Sequence, residues 1–93
     1  MKFIVTWKLQ SATSLAAIDR FLAGGAAPPE GVRILGRWHG ANMSGVAIVE
    51  AVDAAAVYRL SSDWWDLLSI EVTPCVDDAE AGPILVALQK ARS

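Results

Sequence analysis

The chain has 93 residues, a formal net charge of −2 and a pI of about 5.1. This length predicts one domain, and the scattered Lys and Arg residues form no basic patch of the kind that nucleic-acid binding needs. No run of about 20 apolar residues is present to span a membrane, and the apolar segment after Met1 is too short for a signal peptide. We expect a cytoplasmic protein, in which the single Cys75 stays reduced.

The hydrophobic content is high for a soluble domain. Hydrophobic residues make up 54 % of the chain, and its mean hydropathy is +0.38, whereas soluble domains are about 45–50 % apolar. A chain this short buries only about 60–65 % of its unfolded surface. We therefore expect a second subunit to cover one apolar surface, and predict a homodimer.

The first half of the chain predicts a strand, a helix and a hairpin. Residues 2–9 are rich in strand formers and apolar enough for burial on both faces. A stripe at helical spacing follows, and the Gly24-Gly25 pair ends it. Residues 32–39 form a second strand, and a turn rich in Gly and Asn leads into a third strand, residues 45–52. The helical stripe consists of Leu15, Ile18, Phe21 and Leu22.

The second half predicts a helix, a strand and a terminal helix. Asp53 is the N-cap of a helix over residues 54–62, with Val57, Tyr58 and Leu60 as its apolar contacts. Strand four covers residues 67–75. The tail, residues 77–92, has an acidic start at Asp77, Asp78 and Glu80 and a basic end, a polarity that suits a helix dipole and indicates a last helix. Pro83 would lie acceptably early in this helix if it began near Gly82.

The resulting order, β-α-β-β-α-β plus a C-terminal helix, predicts a ferredoxin-like α+β fold. Its antiparallel sheet has the order 4-1-3-2, with both helices on one face. The other face is also largely apolar. Sheet-to-sheet packing of two copies would cover it and produce a dimeric α/β barrel.

Several short segments, in this order and spacing, support the same fold. They are Arg20-Phe21, residues 28–31, residues 36–39, Val49-Glu50, Asp53, residues 66–68 and residues 71–74. Together they resemble a bacterial family known only as domain of unknown function 3303, within the dimeric α/β-barrel superfamily. The resemblance implies the fold but no activity. Members of that superfamily include cofactor-independent monooxygenases, lactone isomerases, haem-dependent enzymes and plain binding proteins, so fold does not fix function.

This topology brings the aromatic residues to one end of the sheet. Strands one and two end there, at Trp7 and at Trp38-His39, and strand four begins there, after Trp64, Trp65 and Asp66. We therefore expect all four tryptophans and the single histidine to gather at that end. The expected ligand-binding residues are Trp7, Arg37, Trp38, Trp64 and Asp66.

Two interpretations of this cluster remain open. In the first, it lines a pocket for a small aromatic or apolar molecule, in which Arg37 holds a carboxylate or enolate oxygen and Asp66 orients His39. His39 would then be the catalytic residue for cofactor-independent proton transfer, isomerisation or monooxygenase-like chemistry, because imidazole is the side chain best suited to proton exchange in the neutral range. In the second, the tryptophans only pack the core or a subunit interface of a non-enzymatic interaction module, and Arg37 pairs with Glu50 or Glu71 across strands.

Other chemistries have little support. A metal site needs several His, Cys or carboxylate ligands, and the one histidine and the one cysteine fall at opposite ends of the predicted sheet. The glycines form no phosphate-binding fingerprint. We therefore predict no metal and no cofactor.

Overall fold

A computed structural model describes residues 1–24 and 26–93 of the chain in full. Strands and helices follow in the order predicted, and the bounds of the four strands and of the second helix agree with the prediction to within one residue. The elements are β1 (Lys2–Leu9), α1 (Ser14–Arg20), β2 (Val32–His39), β3 (Ser44–Ala51), α2 (Ala54–Ser62), β4 (Leu68–Cys75) and α3 (Asp78–Arg92).

The four strands form one antiparallel sheet in the order β2-β3-β1-β4. This is the predicted 4-1-3-2 order seen from the opposite edge. Side chains alternate between the two faces of a strand, so each strand contributes to both. The face on which α1 and α2 lie is called here the covered face, and the opposite one the open face.

The core lies between the covered face and α2. Phe3, Val5 and Val49 project from the central strands and pack with Ala56 and Val57 of α2, all less than 6 % exposed. The α2 helix begins where predicted, because the carboxylate of its N-cap residue accepts a hydrogen bond from a backbone N–H of the first turn.

One predicted contact of α2 is wrong. Tyr58 is 63 % exposed and packs edge-on against Trp65, with 5.0 Å between ring centroids. The other two predicted contacts are in place, since Val57 is buried in the core and Leu60 packs against it, and Ala56 is buried beside them.

The α1 helix lies on the sheet more loosely. Ala17 is buried, whereas Leu15 and Leu22 of the predicted stripe are each 75 % exposed. The helix continues as a π-helical turn, Phe21–Gly25, and Gly24 adopts a left-handed conformation with φ of +89°, as a helix-ending glycine does. Gly25, the second glycine of the predicted stop, lies outside the residues described in full.

The α3 helix begins at the acidic run that the sequence indicated as a helix start, and not near Gly82, the start that would have suited Pro83. The helix begins at Asp78, and Pro83 lies inside it. The reason is a strong N-cap: the Asp77 carboxylate accepts a hydrogen bond from the backbone N–H of Glu80 at 3.0 Å, and Asp78 and Glu80 suit the positive end of the helix dipole. None of the described helices is both long and apolar enough to cross a bilayer.

Candidate functional site

A cavity of about 170 Å³ lies between α1 and the covered face of the sheet. Its floor is made by alternate residues of the central strands, Val5, Ala47 and Val49, and one of its walls by α1 with its π-helical turn. The cavity therefore occupies the space that a closer approach of α1 to the sheet would have filled.

The aromatic end of this cavity is built on one cross-strand row. His39 of β2 pairs with Gly45 of β3, and Gly45 pairs with Trp7 of β1. A Cβ atom at Gly45 would overlap the Trp7 indole, so the glycine is what lets this ring lie over β3. The indole thereby comes edge-on to the His39 ring, with 6.2 Å between centroids.

A β-bulge places two of the predicted site residues on the covered face. The β2–β3 register shifts between Ile34, which pairs with Val49, and Gly36, which pairs with Ile48. The extra residue reverses the alternation of all that follows. Without the bulge Arg37 and His39 would point to the open face, whereas with it both line the cavity.

His39 is held from two sides. Besides Trp7, the ring of Phe21 approaches it edge-on, with 5.3 Å between centroids. Phe21 was placed in the predicted helical stripe but not in the predicted site. The sequence held a signal for Phe21, because this residue belongs to the helical stripe. Placing that stripe over the end of the sheet that carries His39 would have identified Phe21 as a site residue.

Arg37 lines the cavity next to Phe21. Its guanidinium carbon lies 5.0 Å from the centre of the Phe21 ring, and Nη1 donates to the Ala26 carbonyl at 3.4 Å. The expected ion pair with Glu50 is wrong, because Glu50 lies on the open face and pairs there with Lys2 and Arg33. Among the described residues Arg37 has no carboxylate partner.

Trp64 closes the opposite side of the cavity and is 9 % exposed. The Arg20 guanidinium lies 5.4 Å from the centre of its ring. Arg20 also donates two hydrogen bonds to the Asp66 carboxylate, at 2.9 and 2.7 Å, and one to the Asp63 carbonyl. With the hydroxyl of Thr13, which donates to the Leu67 carbonyl, this arrangement fixes both ends of α1 to the turn before β4.

Asp66 therefore does not do what the sequence suggested. Its carboxylate binds Arg20 of α1 rather than orienting His39. The hydrogen bonds from the Arg20 guanidinium hold the pKa of the Asp66 carboxyl below its ordinary value, and the Asp66 carboxylate in turn raises the pKa of Arg20. Asp66 supports the cavity from outside, through the helix that covers it.

The four tryptophans lie toward one end of the sheet, as expected, but of these only Trp7 and Trp64 line the cavity. Trp38 points to the open face, is 60 % exposed, and lies against Gly36. Trp65 is 52 % exposed and contacts Tyr58. Four of the six predicted site residues thus line one cavity. They are Trp7, Arg37, His39 and Trp64.

The chemistry of the cavity follows from these walls. They are aliphatic and aromatic, and the ionisable groups among the lining residues are the Arg37 guanidinium and the His39 imidazole. Across the described residues no cluster of three His, Cys, Asp or Glu side chains is arranged to hold a metal ion. The arrangement can enclose an apolar body, accept an anionic group at Arg37, and exchange a proton at His39.

The fold and the cavity define a small α+β domain with an aromatic pocket at one end of an antiparallel sheet. A family model described as Domain of unknown function (DUF3303) matches residues 1–89, and the chain belongs to this family. No curated protein and no solved structure matches the chain.

Proposed function

We propose that this protein binds a small planar organic acid, one ring in size, in the cavity beside His39. The size of the ligand follows from the volume of the cavity, about 170 Å³. An apolar cavity of about 150 Å³ accommodates benzene, whereas sites for drug-sized ligands measure about 300–1,000 Å³.

The acidic group of the ligand is inferred from Arg37. Arg20 and Arg33 both form ion pairs, whereas Arg37 lines the cavity without a carboxylate partner among the described residues. A guanidinium suits a carboxylate or an enolate oxygen, because it can donate two parallel hydrogen bonds to it. A guanidinium that lines an apolar cavity and has no carboxylate partner among the described residues is the observation that carries the proposal.

We propose further that any chemistry in the cavity is cofactor-independent and uses His39 for proton transfer. No Asp, Glu, Lys or Cys side chain is among the lining residues, and imidazole is the side chain that exchanges protons most readily near neutral pH. Isomerisation, or monooxygenase-like activity on an enolisable ligand, would fit this arrangement.

The same proposal includes the fold type, the pairing of two copies and the location in the cell. The order of elements and of strands supports a ferredoxin-like fold of the dimeric α/β-barrel kind, in which two copies pack sheet to sheet through their open faces. At the centre of that face lie Ile4, Val46 and Ile48, each only half buried. A cytoplasmic location accords with the single free cysteine.

Tryptophan fluorescence can test the ligand proposal, because the four indoles divide between two environments. In a Trp38→Phe/Trp65→Phe variant the remaining rings line the cavity, and in the matched Trp7→Phe/Trp64→Phe variant they lie outside it. We expect benzoate and hydroxybenzoates to produce a saturable change in the first variant only. Absence of saturation up to millimolar concentrations in the first variant, or an equal response in both, would contradict the proposal.

Substitutions at the two ionisable residues separate their roles. Arg37→Gln should weaken benzoate binding by about tenfold, the equivalent of about 1.4 kcal/mol, and leave the affinity for benzyl alcohol unchanged. His39→Ala should remain folded, losing about 0.5–1.5 kcal/mol with its ring contacts, and should abolish any turnover. Equal weakening for the acid and the alcohol in Arg37→Gln would remove the argument for an anionic ligand.

A second candidate function, a non-enzymatic interaction module that forms oligomers or binds a partner protein, is favoured by α3. Its large apolar side chains Ile84, Leu85, Val86 and Leu88 are all at least half exposed. Such a module would show no saturable ligand response, and its mass would depend on concentration or on a partner.

A further inference from the structure

The α3 helix extends away from the rest of the molecule. It has no buried residue, and the molecule measures 53 Å in its longest dimension but 18 Å in its shortest. Ala81, Ile84, Leu85 and Leu88 follow the spacing of one helix face, and the last three are 51–66 % exposed. Val86 lies on the other side of the helix.

Alone, such a helix is not expected to persist in water. Isolated helices shorter than about 12–15 residues are marginal even in alanine-rich sequences, and most helix stability in proteins comes from packing of an apolar face. With 15 residues and Gly82-Pro83 inside it, α3 needs a surface on which to pack. Its own domain does not provide one.

The surface area shows how much cover the chain lacks. The chain of 9.9 kDa exposes 6314 Å², about 1,100 Å² more than the roughly 5,200 Å² of a monomeric protein of that mass. Its radius of gyration is 16.0 Å, against about 12 Å for a compact domain of this length. The excess area is comparable to the about 800 Å² that each partner buries in a standard interface.

The helix and the open face are continuous. The N-cap residue of α3, Asp77, forms an ion pair at 3.4 Å with Lys2, and Lys2 in turn lies 3.8 Å from Glu50. Lys2 and Glu50 belong to the polar end of the open face, so α3 leaves the domain from that side. A body that sits on the apolar centre of this face, Ile4, Val46 and Ile48, would also meet the root of the helix.

We infer that α3 is an arm that clasps a second copy of this chain. The inference rests on the proposed sheet-to-sheet pairing and is independent of the proposed ligand. In a two-fold dimer each copy covers the open face of the other, and each apolar stripe packs on the partner's domain, so one symmetric interface covers both unpartnered surfaces. The excess area of each chain is buried in the same step.

Matched substitutions on the two sides of α3 test the clasp. Leu85→Asp/Leu88→Asp places two charges on the stripe, and the control Val86→Asp places one on the opposite side at similar exposure. None of these residues is buried in the single chain, so the domain should fold in both. By sedimentation equilibrium we expect a dimer for the full chain and for the control, and at least 100-fold weaker association for the stripe variant.

The contradicting outcomes are distinct. A stripe variant that associates as tightly as the control would exclude the clasp, and if Ile48→Asp were then monomeric, the sheet pairing would stand without it. A full chain that remains monomeric at all concentrations would exclude both. Neither outcome bears on the fluorescence test for the ligand.

Helix content offers a second measurement. If α3 depends on the second copy, dilution below the dissociation constant should reduce the far-UV helix signal of the full chain as the dimer separates. A helix signal that stays constant while the mass halves would show that α3 is stable by itself and would contradict the inference.

Discussion

The two faces of the sheet are made by the same four strands, yet the helices α1 and α2 cover only one of them. On the covered face Phe3, Val5 and Val49 are at most 5 % exposed, whereas Ile4 and Ile48, their neighbours along the same strands, remain half buried on the open face. The contrast shows that α1 and α2 bury the apolar residues of one face, whereas the apolar residues of the other face stay partly exposed in the single chain.

The largest expected effect contrasts the two faces through adjacent residues. Val49→Asp places a carboxylate at a fully buried position, where no partner compensates its desolvation. We expect a loss of more than about 4 kcal/mol, enough to leave no folded protein. Ile48→Asp, one residue away on the open face, should cost about 1 kcal/mol and give a folded monomer.

Urea unfolding with sedimentation measures both changes. A cooperative unfolding transition near that of the wild type for Val49→Asp would show that the covered face tolerates charge, and the distinction between the faces would fail.

A smaller effect contrasts two glycines that each accommodate an indole. A Cβ at Gly45 overlaps Trp7 on the covered face, and one at Gly36 overlaps Trp38 on the open face. Trp7 lies over Gly45 with its ring edge-on to His39 in the cavity wall, so we expect Gly45→Ala to cost about 1–3 kcal/mol and to abolish ligand binding. Trp38 is free to turn into solvent, so Gly36→Ala should change stability by less than about 0.5 kcal/mol.

Thermal unfolding and the fluorescence titration compare the two alanine variants. Equal destabilisation by Gly45→Ala and Gly36→Ala would mean that the Trp7 ring is not confined, and would weaken the case for a shaped cavity.

The smallest effect concerns the attachment of α1 over the cavity. Arg20 lowers the pKa of Asp66 below 3.8 in the folded protein, so their pair stabilises the fold above that pH, and the contribution is lost as the pH falls through the lower, folded-state value. The wild type should exceed Asp66→Asn in stability near neutrality, and the difference should disappear in acid. The pair is exposed, so the difference is small.

Unfolding midpoints measured between pH 2 and pH 7 give this profile, and Arg20→Gln should reproduce the neutral-pH loss. A difference between wild type and Asp66→Asn that grows in acid would reverse the assigned sign and rule out the pair as an anchor of α1.

Much of the fold was accessible from local patterns. The four strands and α2 appear at the predicted positions because β-branched runs, turn residues and the Asp53 N-cap act over a few residues each. The order of elements then led to the observed strand order. At α3 two local signals disagreed: the acidic run from Asp77 indicated the observed helix start, whereas Pro83 suited a start near Gly82. The Asp77 N-cap decides between them.

The sequence by itself determined that His39, Arg37 and an indole from β1 would reach one end of the sheet. Only the tertiary structure decided on which face they meet, because a single bulged residue in β2 reverses every side chain after it, and no residue type signals it. It also directed Asp66 to Arg20, since side-chain directions depend on packing between distant segments.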